Sequence, residues 1–283
     1  MKLLALLLSL SVAQAALPVT PATAFDEYMY KYCTNGTPDV ITLGPGLYLT
    51  RGSAAWWLAS GDSLVGAGMD KTIIRRMDPS ARAVVNGWIT AGNSRARVAD
   101  LTLDANAGLT CSEAACGLIA WHWKDSLVER VKVVRLGSFF VASESFGFCI
   151  SSGTNNVIRS CWVEKNVGGY VSAFGFSGRN ITVTACTANF DWELGWDTRL
   201  QAFLPSAGDS GHGDNITISG CWTTGARFAI FNDMPGELRG LKIINNRFRV
   251  RNTKAAWAQY YRLVGGGTYP GIELAGNHVK GIP

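Results

Sequence analysis

Four side chains in the middle of the chain could do acid–base chemistry on a sugar: Asp197, Arg199, Asp209 and His212. Asp197 and Arg199 are two residues apart in GWDTRL, so on a strand they share one face. A hydrolase needs two carboxylates about 5 to 10 Å apart, which Asp197 with Asp209 or with Glu193 would supply. Elimination or epimerisation instead needs a base for the proton alpha to a uronate carboxylate and a cation to neutralise that carboxylate. His212 and Arg199 fit those two roles. The competing reading is a solvated Asp197–Arg199 ion pair on a sheet, with His212 on a flexible Gly/Ser loop. Trp121, Trp192, Trp162 and Trp222 offer flat faces on which sugar rings pack through their C–H groups, and Trp192 adjoins Glu193. A covering layer of loop would account for these tryptophans equally well.

The elements that must hold these groups come from a repeat. The frame VADLTL from Val98 recurs as VERVKV from Val128, IRSCWV from Ile158, VTACTA from Val183, ISGCWT from Ile218, IINNRF from Ile243 and LAGNHV from Leu274. Successive starts lie 30, 30, 25, 35, 25 and 31 residues apart. Short strands restarting at such a period indicate a solenoid, in which each repeat buries its apolar side on its neighbours. Alignment puts Leu101, Val131, Cys161, Cys186, Cys221, Asn246 and Asn277 in one column. The cysteines there are expected to be small buried packing residues, and the asparagines to bond along the stack. Trp162 and Trp222 then share one outward place two coils apart, roughly 10 Å.

A second strand precedes each rung and usually opens with glycine: GLIAWH from Gly117, GFCISS from Gly147, GYVSAF from Gly169 and GWDTRL from Gly195, with RFAIFN from Arg227 as the exception. With Leu118, Phe148, Tyr170, Trp196 and Phe228 inward, the outward columns are expected to be Ile119, Cys149, Val171, Asp197, Ala229 and Trp121, Ser151, Ala173, Arg199, Phe231. Two or three such strands per turn, joined by Gly, Asn and Ser bends, predict an all-β fold, a single-stranded right-handed parallel β-helix. The longest coil holds an apparent excess at residues 200–213, LQAFLPSAGDSGHG, which is expected to form a binding wall ending in Asp209 and His212.

On the entry segment LYLTRGSAAWWLASGDSLVGAGMDKTIIRR, LTLDAN from Leu101, and the N-[IV]-T-[IV]-x-x-C rungs at Asn180 and Asn215, the chain resembles the pectate-lyase-like superfamily of secreted β-helix proteins. The resemblance covers roughly residues 25 to 280 and is specific for fold and weak for reaction. It implies a polysaccharide partner, and a catalytic Asp at the second place after a strand glycine, which Asp197 matches. The paired-Asp motifs of the polygalacturonase-like members are absent, and GHG here precedes a rung instead of leading into the glycine-marked strand. Calcium follows from the resemblance alone, with Asp197, Asp209 and Asp214 as possible oxygen ligands.

Residues 1–15, MKLLALLLSLSVAQA, are a signal peptide by their single Lys, short apolar run and small-x-small end, with cleavage expected before Ala16. The run is too short to span a membrane, so the protein is expected to be secreted, with no membrane association after cleavage. The net charge of +5, or +4 without Lys2, suits an acidic polysaccharide and excludes a nucleic-acid partner. Residues 16–283 form one β-helix domain, capped by a short amphipathic helix at about 23–36 that places Phe25, Tyr28, Met29 and Tyr32 on one face, with coils from about 37. A monomer is expected. Seven cysteines leave at least one unpaired; Cys111 and Cys116 are the disulfide candidates, and Cys33 and Cys149 are undecided. The glycines at 44–46 and 66–68 are bends, since no helix and Lys follow as in a phosphate loop. No zinc or haem motif occurs. The chain stops four residues after the last rung with no visible cap. Three functions follow: an enzyme that cleaves or modifies an acidic polysaccharide (lyase, hydrolase or epimerase), a non-catalytic glycan-binding protein, or a purely structural solenoid.

Overall fold

The computed structural model describes residues 17–19, 29, 36–50, 58–87, 94–107, 115–137, 144–164, 170–190, 200–207, 212–232, 235–251, 261–263 and 268–282. Every named strand pairs in parallel with strands of neighbouring coils, in one 17-stranded and one 9-stranded sheet. The chain is a right-handed parallel β-helix. Each middle coil sends one strand, or in the later coils two, to the narrower sheet and two short ones, or one longer bent one, to the broader sheet. Glu144–Thr154, for example, is followed by Val157–Arg159 and Trp162–Glu164. The first described strand, Leu17–Val19, pairs with Val40–Leu43 directly after the expected cleavage point. The expected cap helix lies outside the described residues except for Met29, which is buried in the core.

The broad-sheet corner turns on a left-handed residue in each coil: Asp100, Arg130, Ser160, Ala185, Gly220, Asn245 and Gly276 all have φ between 50° and 61°. One such residue redirects the strand without ending its ladder, and the next side chain faces inward. That side chain is Leu101, Val131, Cys161, Cys186, Cys221, Asn246 or Asn277. Each thiol sits 3.6 Å from a carbonyl of the preceding coil, donated to Val128, Ile158 and Val183 respectively. Asn246 donates to the Ile218 carbonyl and accepts from the Cys221 amide, and Asn277 repeats this one coil later. The column is therefore a hydrogen-bonded core ladder of free thiols and amides. Burial pushes the Cys186 and Cys221 thiols well up, so they stay protonated.

Inside the narrow sheet, Phe148, Phe174 and Phe203 stack face to face at 5.2 and 5.3 Å between centroids. Register puts Leu118, Phe148, Phe174, Phe203 and Ile230 in one inward column. This corrects the expected frame. Tyr170 opens its strand four residues earlier, Phe228 packs in an outer cluster with Leu204 and Phe231, and the strand in register with Phe174 is Leu200–Ser206; residues 195–199 lie outside the described residues. The residue before each inward one is small: Gly117, Gly147, Ala173, Ala202 and Ala229. A Cβ on Gly147 would lie 2.6 Å from both the Ala173 carbonyl and Val163, whereas beside Ala173 the register places Ala188 where Val163 stood. The slot thus takes glycine opposite Val133 and Val163 and alanine in the coils where register puts Ala188, Thr223 and Phe248 in that column, which is why glycine marked only the first two strands correctly.

Candidate functional site

Outward from the narrow sheet, the corrected columns are Ile119, Cys149, Gly175, Leu204 and, one rung farther along, Trp121, Ser151, Ser177, Ser206. The places expected for Asp197 and Arg199 are held by Leu204 and Ser206. These columns line a cleft of about 400 Å³ that crosses four coils. Its floor is apolar: the Phe146 ring lies over Gly175, whose hypothetical Cβ would come within 2.7 Å of it. Its polar groups are the serine ladder, in which the Ser151 and Ser177 hydroxyls are 3.3 Å apart, with Glu144 and Arg82 at the wall. The Ser172 hydroxyl donates to Glu144 at 2.5 Å and lies 3.1 Å from the Gln201 amide oxygen. A charge-assisted bond that short holds the carboxylate in one orientation.

Cys149 and Cys116 back this cleft, and burial pushes their thiols to about 12 and about 11, so neither is a nucleophile near neutral pH. Cys116 is a free thiol that accepts a hydrogen bond from the Phe146 amide. That corrects the expected pairing with Cys111, which lies outside the described residues: Cys116 begins the strand Cys116–Trp121 and its sulfur is spent on the neighbouring coil.

Of the expected site residues, Trp121 lines the cleft. Asp197, Arg199, Trp192, Glu193 and Asp209 lie outside the described residues. Leu200, which follows Arg199 in the chain, pairs with Val171, next to the Tyr170–Glu144 rung. The expected loop at residues 200–213 is mostly strand, Leu200–Ser206 and then His212–Asp214, with Asp214 paired to Arg179 at 3.2 Å. The surplus of the longest coil falls ahead of it instead: ten residues separate Asn189 from Leu200, against five from Glu164 to Tyr170. Glu144 and Arg82 were not singled out from sequence, because nothing in ASESFGF or SARAV distinguishes them from solvated charges.

Trp162 and Trp222 lie on the other sheet, where both are exposed. Register confirms their shared column: Lys132, Trp162, Thr187, Trp222, Arg247 and His278 follow one another coil by coil. On the early coils of this face the cations are neutralised by carboxylates. Glu129 takes Arg97, Arg130 and Arg159, while Asp104 takes Arg75 and Arg135. Among the described residues no group of three or more His, Cys, Asp and Glu is placed to hold a metal ion. Of the possible calcium ligands, Asp214 pairs with Arg179, and Asp197 and Asp209 lie outside the described residues.

No family profile matches the chain, and no curated protein does. Solved structures do. The surface adhesin PfbA of Streptococcus pneumoniae is similar at 10% identity over 90% of this chain and 75% of its own, with a TM-score of 0.53. A second PfbA structure gives 9%, 91%, 89% and 0.50. The A-module of the mannuronan C-5 epimerase AlgE4 of Azotobacter vinelandii is found at 15% identity over 90% of this chain and 92% of its own, with a TM-score of 0.37. The likeness is one of fold. It supports the parallel β-helix and does not extend to a reaction.

Proposed function

We propose that this is an exported polysaccharide-modifying β-helix protein that holds a glycan chain across the coils in the narrow-sheet cleft. One observation carries the reading: Trp121, Ser151 and Ser206 line one side of the cleft over an apolar floor, with the buried Ser177 between the two serines, its hydroxyl accepting from the Ser152 amide. Rungs recur about every 4.8 Å, close to the advance of one sugar residue in an extended chain, so the Trp121 indole and the Ser151 and Ser206 hydroxyls are spaced to meet different rings of one chain. Glu144 is the carboxylate among the described lining residues. One fixed carboxylate with Arg82 on the same wall suits removal of the proton alpha to a uronate carboxylate. Glu144 takes the proton and Arg82 offsets the charge that develops on the sugar carboxylate. Two-carboxylate hydrolysis has no second partner among those residues. For the same reason a second reading stands beside it, glycan binding without turnover.

The test is a panel of uronate and neutral polysaccharides, followed by ultraviolet absorbance of unsaturated ends, by new reducing ends and by loss of C5 hydrogen to solvent. Turnover on a uronate polymer that Glu144→Gln abolishes and Trp121→Ala weakens about tenfold or more in KM supports the proposal. Binding without turnover that Trp121→Ala weakens supports the second reading. Retention of full turnover by Glu144→Gln overturns the assignment of the base, and a protein that binds no glycan overturns both.

A further inference from the structure

We infer that the C-terminal coils carry a second glycan site, on the broad sheet, for an anionic polysaccharide. Trp222 is 43% exposed and Trp162 37%, and they flank the small Thr187 in one column. Two rungs, about 10 Å, separate the indoles, which is room for two sugar residues over the threonine. Directly beyond Trp222 stand four basic side chains in a two-by-two array. Arg247 pairs with His278 and Arg249 with Lys280 on adjacent rungs, all around a hollow that Trp222 also lines. None of the four has a carboxylate partner among the described residues, and no carboxylate lines the hollow. That is unlike the rest of this face, where Arg75, Arg97, Arg130, Arg135 and Arg159 are each spent on Asp104, Glu129 or Asp100.

Uncompensated cations held at rung spacing beside exposed indoles fit a chain that presents a negative group on successive sugars and a C–H face to the tryptophans. Carboxylate and sulfate share that chemistry. A nucleic acid is disfavoured, because a net charge of +5 over 283 residues is far below that of a phosphate-tracking surface. The site lies on a different sheet from the cleft and does not depend on the function proposed for it.

The experiment uses the full mature chain in a Trp121→Ala background, which impairs the cleft, and measures binding to polygalacturonate, a sulfated glycan, amylose and single-stranded DNA over a range of salt. The inference expects affinity for one or both anionic glycans that falls with salt. The double change Arg247→Ala with Arg249→Ala should cost at least about tenfold, and Trp222→Ala a similar factor, with circular dichroism unchanged. Preference between polygalacturonate and the sulfated glycan identifies the anion. Unchanged affinity in the double variant, equal binding of amylose, or binding of DNA alone overturns it. Failure of the cleft would show separately, as an unaltered response to Trp121→Ala.

Discussion

Glu129 is the most heavily committed side chain on the broad face. Burial alone would push its carboxyl up, but hydrogen bonds from Arg97, Arg159 and Arg130 outweigh that and hold it down at about 2. A depressed carboxyl stabilises the folded chain above its unfolded value, about 4.3, and that stability is lost as pH falls toward 2. Glu129→Gln should therefore destabilise the protein most at neutral pH. We expect about 1 to 3 kcal/mol there, less than for a fully enclosed pair, because the three arginines are 36, 43 and 51% exposed. Urea unfolding of both proteins across pH 7 to 2 checks this: the gap should narrow steadily below about pH 4, and a gap independent of pH would mean that packing, not charge, sets the cost.

At the level of the strand and its bend, the inward column from Cys161 to Asn277 holds the corner shut. Asn246 is fully buried and spends its oxygen on the Cys221 amide and its nitrogen on Ile218. Asn246→Ala would strand both backbone groups and open a small void, at a cost of about 2 to 4 kcal/mol. Asn246→Asp, which keeps the oxygen but not the donor, should be no better. A denaturation midpoint unmoved by the alanine variant would rule the ladder out as a source of stability. This column was legible in the sequence because its bend is one residue long, so the hydrophobic frame returns in phase at every coil. The narrow-sheet strands were not, because the slot before the inward residue holds Ala173 and Ala202 in the later coils where Gly117 and Gly147 stand in the earlier ones, and a glycine-led frame slips four residues at Tyr170. In that frame the expected catalytic column fell on Asp197 and Arg199, which lie outside the described residues, while the cleft is lined by Ser177, Leu204 and Ser206. Trp162 and Trp222 were placed correctly since they belong to the in-phase rungs. Their basic neighbours Arg247, Arg249, His278 and Lys280 were missed, because only register shows them to be adjacent.

Across the molecule, the sheets divide the work: one outer face carries an apolar cleft with a fixed carboxylate, another carries a neutralised early half and a cationic late half. The repeat also has a kinetic side. Register mates lie 23 to 35 residues apart from end to end of the stack, so each added coil closes a loop of nearly the same length and faces nearly the same entropic barrier. Assembly then resembles the growth of a one-dimensional crystal, slow to start and quick to extend, with melting from whichever end is least covered. Leu274 is 50% exposed on the last described rung, against complete burial of Ile243 and Ile218 one and two coils earlier. Amide exchange should accordingly be fastest over Glu273–Ala275 and His278–Ile282 and slow progressively toward the coils holding Val131 and Cys161. Ligand captured on Arg247 and Lys280 would pin that fraying tip, so occupancy of the last coils would be read out as a longer lifetime of the whole rod.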